Sequence, residues 1–360
     1  MKWLVMWRKM DWWLMGAIII LAMFSISLMY SISGERYVKQ ILFFGIGLII
    51  CFFVATVDYH RWQSYAYFIY AFGVLILLAV LLFGAEINGT TGWFRIGSAS
   101  FQPVELVKIF MLIALARYLK DRAFMFNKWH TLVATLGIVV PYALLVLLQP
   151  DLGSTLVFIG TFLILLGLTN VSIKQYLIIL GSGVVLALLA WQFLLQPLQK
   201  ERIFIFLNPN KASSTAGYNV KQAIISVGSG YWYGRGLGLG TQSQLRFLPE
   251  RDTDFIFAVI GEELGFIGCA TTIILLFIIL WRIWKIMRAN KEEYGVYFCA
   301  GYAIMIFIQV LINIGMNIGV MPVTGIPLPF VSAGGSSLLT LLLGIGMIQN
   351  YYIQSHSQLN

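Results

Sequence analysis

Five carboxylates crowd the stretch LPERDTDFIFAVIGEELG, residues 248–265: Glu250, Asp252, Asp254, Glu262 and Glu263, one third of the chain's fifteen Asp and Glu. They are interleaved with Phe255, Ile256, Phe257, Val259 and Ile260. A carboxylate partly desolvated at an apolar boundary has its pKa pushed up, toward the range that suits a proton acceptor. The chemistry on offer is therefore general-base catalysis at Asp254. Its structural alternative is capping of a helix N-terminus by Thr253 or Asp254. Glu262 follows Asp254 by eight positions and shares nearly one face with it if both belong to one helix. Pairing with loop arginines is the alternative for Glu262 and Glu263.

Three further stretches carry usable groups. In FQPVELVKIF (101–110), Pro103 suits a first helical turn, and Glu105 and Lys108 stand three apart, within pairing distance. Ionisable residues inside a membrane span usually face a bundle interior or a polar cavity, so the pair is both a structural and a site candidate. In QPDLGS (149–154), Asp151 reads as an N-cap between two spans. The segment GVMPVTGIPLPFVSAGGSS (319–337) has three prolines, four glycines and no charge. Such residues break a helix and free backbone groups, which near a membrane must be sheltered by protein or a water-filled cavity.

The elements that must position these groups are helices in a bilayer. The chain has 360 residues, is 59% hydrophobic and 11% charged, and has a mean hydropathy of +0.84. Apolar runs near the ~20-residue spanning length recur throughout, predicting an all-α polytopic membrane protein. Ten spans are expected, over 12–33, 38–57, 64–84, 103–119, 131–149, 153–169, 175–195, 255–284, 294–318 and 332–353. Lys and Arg concentrate on the side of the N-terminus (Lys2, Arg8, Lys9, Arg61, residues 117–128, Lys174 and residues 282–291), against Arg36, Lys39 and Arg95 in the short opposite loops. The positive-inside rule then puts both termini in the cytoplasm and the long 196–253 loop outside, within a single integral membrane domain. Within that loop, 217–230 has the spacing of a short interfacial helix, followed by the glycine-rich GSGYWYGRGLGLGTQ (228–242).

Several classes are excluded. No nucleotide-binding loop, serine-hydrolase elbow or zinc-protease motif occurs. The +9 net charge follows topology, so nucleic acid is not an expected partner. His60, His130 and His356 all fall on the expected cytoplasmic side, so a base on the outer face must be a carboxylate. Cys51, Cys269 and Cys299 lie in apolar runs as packing residues.

FQPVELVK, QPDLGST, GLGLGTQSQLRFLPERDTDFIFAVIGEELG and MNIGVMPVTGIPLPFVSAGGSS, in this order, together resemble the SEDS family (shape, elongation, division and sporulation), most closely its rod-elongation branch. The resemblance covers nearly the whole chain. It implies a glycosyltransferase that polymerises lipid II into peptidoglycan strands at the outer face of the bacterial cytoplasmic membrane. As partners it implies a class B penicillin-binding protein and other membrane proteins of the elongation complex. It makes Asp254, in the T-D-F motif, the catalytic residue, and matches Glu105, Lys108 and Asp151 to family motif positions. Asp252 departs from a frequent His, and Ala333 from the common S-Y-G-G-S. Asp254 would then deprotonate the acceptor hydroxyl in a single inverting displacement. Lys108, Arg202, Lys221, Arg246 or Arg251 would face the diphosphate leaving group, with Glu262 supporting the site. No cofactor motif is evident, although a divalent cation, magnesium or manganese, would suit a diphosphate. A flippase or transporter of lipid-linked precursors is the alternative, and a non-catalytic scaffold a third reading.

Overall fold

The computed structural model describes residues 7, 9–32, 34, 36–87, 89–97, 99–122, 125–126, 128–208 and 215–357. Lys2 and Arg8, counted above among the cations, lie outside the described residues. In chain order, helices α1 (Trp12–Ile32), α2 (Arg36–Thr56), α3 (Tyr59–Ser64) and α4 (Ala66–Phe83) lead into strands β1 (Ala85–Ile87), β2 (Thr90–Ile96) and β3 (Ala99–Phe101). Helices α5 (Pro103–Asp121), α6 (Trp129–Leu148), α7 (Leu152–Gly167), α8 (Ile173–Phe193) and α9 (Pro197–Leu207) follow. The chain ends with α10 (Thr215–Ser229), α11 (Thr241–Gln244), α12 (Ile256–Ala289), α13 (Glu293–Asn317) and α14 (Gly335–Ser357). Ten of these helices overlie the ten expected spans to within a few residues. By length and composition, 8 helices among the described residues can cross a membrane. Helix α7 is apolar but shorter, and α5 has 19 residues with Glu105, Lys108, Arg117, Lys120 and Asp121 on it.

The chain packs as two compact units. One comprises Met1–Thr56, Glu201–Lys285 and Ile306–Asn360; the other comprises Val57–Lys200 and Ile286–Met305. In the first unit α14 lies along α2, where glycines permit close approach, the usual device between helices that both face lipid. A Cβ at Gly346 would stand 2.6 Å from the Cys51 carbonyl, and Gly47 faces Leu342. Asp11 starts α1 by accepting from the Leu14 N–H at 3.0 Å and is clamped by Arg282 at 2.5 Å. Gln349 of α14 exchanges two hydrogen bonds with the Asp11 backbone, at 2.9 and 3.1 Å.

In the second unit the 85–101 connection is a three-stranded antiparallel sheet of order β1-β2-β3, pairing Ala85 with Trp93 and Phe94 with Phe101. Arg95, expected in a loop, lies in β2 opposite Ser100. Its segments are too short and too rich in glycine for a two-residue period to stand out. Helix α6 is tied to α4 by Tyr142, whose hydroxyl donates to the Tyr70 carbonyl at 2.7 Å. Helix α8 buries only Gln175 and Ile179, so its apolar surface is available to lipid on almost every side. The three cysteines are free and buried.

Gly346→Leu should lower the stability of the purified protein by about 1–3 kcal/mol through overpacking against α2. Gly45→Leu, where a Cβ meets nothing within 4 Å, should be tolerated. Thermal unfolding in detergent compares the two; equal losses would show that the α2–α14 contact is not the cause.

Candidate functional site

Asp254 lies in a turn immediately before α12 begins at Ile256. It does not share a helix face with Glu262, as one continuous helix would have required. Apolar burial explains where the turn sits: Phe255, Leu248, Ala223 and Ala258 form a buried cluster, with Val227 and Val323 packed against it. The backbone is then held from several sides. Two asparagines one turn apart on α13, Asn313 and Asn317, donate their side-chain amides to the Asp254 carbonyl at 2.9 and 3.0 Å. Asn317 Oδ1 also accepts from the Ala258 N–H at 3.0 Å, so a side chain of α13 caps the start of α12.

The proline- and glycine-rich 319–334 segment forms the second wall. It is non-helical throughout, as its composition predicts. Ser332 Oγ donates to the Thr253 carbonyl at 2.6 Å and accepts from the Leu328 N–H at 2.8 Å, while the Ala333 N–H donates to the Asp252 carbonyl at 2.8 Å. Asn313 reaches this segment too, donating to the Ile326 carbonyl at 2.8 Å. Asp254 is half-buried, and its carboxylate faces Gly325, where a Cβ would approach Oδ2 to 3.5 Å. Asp252 is buried and forms an ion pair with Arg36. The two departures from the family pattern, Asp252 and Ala333, are thus direct neighbours.

Glu262 and Glu263 have another job. Both are fully buried, and neither pairs with a loop arginine by any ion pair among the described residues. Glu262 accepts from the backbone N–H groups of Gln242 and Ser243 at 2.8 and 2.9 Å, capping the short α11. Glu263 accepts from Ser31 Oγ at 2.6 Å and from Gln244 Nε2 at 3.1 Å. Helix α12 is broken just beyond them, at Gly265 (φ 65°, ψ −160°). The carbonyls of Glu262 and Glu263, released by the break, accept from the N–H groups of Arg235 and Gly236 at 2.9 and 3.0 Å. Glu262 thus holds the loop carrying α11 to α12.

The two predicted arginines differ. Arg251 is buried and donates through Nη2 to the Ile32 carbonyl at 3.0 Å, satisfying the C-terminal end of α1. Its Nη1 has no partner among the described residues. Burial, then the nearby Arg246 and Arg36, push the Arg251 guanidinium below its ordinary pKa. Arg246 is exposed and held at φ 59°.

In the second unit the structure brings Glu105, Lys108 and Asp151 together. Glu105 and Lys108 form a buried ion pair at 2.7 Å. Asp151 caps α7 by accepting from the Ser154 N–H at 2.9 Å, and Gln102 Nε2 lies 3.4 Å from its other oxygen. Loss of solvent raises the Asp151 pKa; its hydrogen bonds to Ser154 and the charge of Lys108 act in the opposite sense, and Glu105 adds to the rise. Among the described residues no group of three or more His, Cys, Asp or Glu is placed to hold a metal ion. The sequence reading missed Asn313, Asn317, Ser332 and Arg36. The asparagines could have been noticed as a polar i, i+4 pair in an apolar helix.

Fold and site define a mostly helical, multi-pass membrane protein with an acidic turn braced by broken-helix segments. Over residues 3–357 the chain matches the family profile described as "Cell cycle protein", covering FtsW, RodA and SpoVE. It is 35% identical over 346 residues to the peptidoglycan glycosyltransferase MrdB of Escherichia coli (strain K12), covering 93% of this chain and 91% of that one. It is 37% identical over 319 residues to the stage V sporulation protein E of Bacillus subtilis (strain 168), covering 87% and 85%. Among solved structures it resembles a chain from a study titled "Structural coordination of polymerization and crosslinking by a peptidoglycan synthase complex", with a TM-score of 0.85, 29% identity and 96% and 98% coverage. The rod shape determining protein RodA of Thermus thermophilus gives a TM-score of 0.72, 28% identity and 95% and 96% coverage. The chain belongs to the FtsW/RodA/SpoVE family, the SEDS family indicated by its motifs.

Ionisation of Asp151 opposes folding as pH rises from its unfolded pKa to its raised folded one; above that the penalty is constant. Asp151→Asn keeps an N-cap acceptor and removes the charge, so its thermal midpoint at neutral pH should match or exceed that of the parent. Asp151→Ala should lose about 1 kcal/mol. An Asn variant as unstable as the Ala variant would show that the charge itself holds this cluster.

Proposed function

We propose that the protein is a peptidoglycan glycosyltransferase of the elongation type, polymerising lipid II into glycan strands at the outer face of the cytoplasmic membrane. Family membership and the MrdB relative support this reading. The observation that carries it is Asp254: a half-buried residue whose carboxylate faces Gly325, on a backbone held at the Asp252, Thr253 and Asp254 carbonyls. Asp254 accepts the proton of the acceptor sugar's 4-hydroxyl as that oxygen attacks the anomeric carbon of the donor. The bond from that carbon to the diphosphate breaks, and undecaprenyl diphosphate leaves with the electron pair. One base and one in-line displacement invert the centre without a covalent enzyme intermediate.

Exposed Arg246 and Lys221, partly exposed Arg202 and the uncommitted Nη1 of Arg251 are the cations suited to the diphosphate. Lys108 is already committed to Glu105. Magnesium or manganese arriving with the diphosphate would neutralise leaving-group charge. Likeness to a chain of a peptidoglycan synthase complex supports a crosslinking partner, a class B penicillin-binding protein, among other elongation-complex membrane proteins.

The broken α12 and the coil before α14 also suit a flippase, because transporters build sites from discontinuous helices. Purified full-length protein supplied with lipid II should yield polymer, resolved by length. Asp254→Asn should reduce the rate by at least about 10²-fold, the scale of a lost general base, while keeping its thermal midpoint. Undiminished polymerisation by Asp254→Asn would exclude it as the base; lipid translocation without polymer would favour the flippase.

A further inference from the structure

The turn between α10 and α11 combines a fixed backbone with side chains that touch little protein. Gly234 N–H closes it onto the Gly230 carbonyl at 2.7 Å. The N–H groups of Phe266 and Ile267, freed by the break at Gly265, donate to the Tyr231 and Trp232 carbonyls at 2.8 and 3.2 Å. Together with the bonds from Arg235 and Gly236 to the Glu262 and Glu263 carbonyls, the turn and the two halves of α12 exchange four backbone hydrogen bonds. Tyr231 is held at φ 49°, a left-handed conformation that costs a non-glycine residue about 1 kcal/mol or more. Despite this bracing, Tyr231 is 83% exposed, Trp232 65% and Tyr233 82%. Leu237 and Leu239 of the same turn are exposed as well.

Position along α12 identifies what covers these rings. Phe266 opens the continuous part of the helix, and Trp232 meets it edge-on at 5.1 Å. From Phe266 to Trp281 the helix has no charged residue; Arg282 and Lys285 follow. Two exposed tryptophans, Trp281 and Trp284, 4.9 Å apart, mark that second end. The rise from 266 to 284 is about 27 Å at 1.5 Å per residue, close to the ~30 Å hydrocarbon thickness. One helix is thus bracketed by aromatic groups at bilayer spacing, the pattern of interfacial belts. A protein partner would impose no such spacing.

We propose that Tyr231, Trp232 and Tyr233 form a membrane-interface anchor, seated in the phospholipid headgroup layer where the continuous part of α12 ends. Their amphipathic rings suit that layer, apolar body toward the acyl chains and polar group toward water. Because the turn is bonded to the first half of α12, the anchor fixes the depth of Glu262, Glu263 and the Asp254 turn against the bilayer. On the reading of a lipid-linked substrate, this is the depth at which its diphosphate and first sugar enter.

The test is independent of activity. In full-length protein with Cys51, Cys269 and Cys299 changed to alanine, a nitroxide is attached at Tyr233→Cys, and separately at Leu239→Cys. Each variant is reconstituted in nanodiscs of phosphatidylethanolamine and phosphatidylglycerol. Collision with oxygen is compared with collision with a water-soluble nickel chelate, using labels at Phe277→Cys (span) and Lys291→Cys (water) as references. The depth parameter at both turn positions should shift from the Lys291 value toward the Phe277 value. A value equal to that of Lys291 would put the turn in water and overturn the anchor. Exclusion of both relaxants would mean that protein, not lipid, covers it, and would equally overturn the proposal.

Discussion

Asn313 and Asn317 both donate to the Asp254 carbonyl, and Asn317 also accepts from the Ala258 N–H, so one helical turn of α13 satisfies the strand of chain that leads into α12. A carbonyl buried without a partner costs roughly 1–3 kcal/mol. The turn must therefore be built where protein donors exist. The coil after α13 meets the same need, since Asn313 also serves Ile326 and Ser332 serves both Leu328 and Thr253. Removing regular helix from two neighbouring segments is tolerable because each supplies partners to the other. The site is a consequence of that mutual satisfaction.

Buried carboxylates obey the same rule in two ways. Glu105 is neutralised by a cation one helical turn away, and the pair needs little else. Glu262 and Glu263 instead collect backbone N–H, hydroxyl and amide donors from the loop carrying α11. A buried ion costs several kcal/mol unless its lone pairs are engaged, while charge-assisted hydrogen bonds are roughly twice as strong as neutral ones. Each glutamate therefore binds the loop to α12 more firmly than an apolar contact would. Gly230, Gly234 and Gly240 permit this, since a Cβ at any of them would collide with residues 261–263 or their side chains.

What was legible in the sequence was local or periodic. The spans were readable because each needs about 20 apolar residues, and the N-cap at Asp151 and the i, i+3 pair Glu105–Lys108 because their partners lie within one turn. Groups acting across long separations were not. Nothing in GEELG announces that its carboxylates serve N–H groups 19 and 20 positions upstream. The break at Gly265 was hidden because the apolar pattern runs straight through it and no proline marks it. Glu262 does not stand beside Asp254 on one face for a different reason: Asp254 lies in the turn before α12 starts at Ile256. The sheet at 85–101 was missed because its strands, of 3, 7 and 3 residues, are too brief to show alternation.

The five acids of this stretch are held in different ways. Asp252 is committed to Arg36, Glu250 receives the Thr253 hydroxyl at 3.0 Å, and Glu262 and Glu263 are sealed from solvent. Asp254 is half-buried, with a backbone bonded on both sides, through Thr253 and Ser332 before it and through Asn313 and Asn317 at its own carbonyl. In the proposed function, a base so mounted would not have to reorganise when a hydroxyl is presented to it, because the cost of ordering it is met during folding. An equally acidic residue on a free loop would have to be ordered at each encounter. On the proposed function, the acid cluster divides into one reactive group and four that hold its surroundings still.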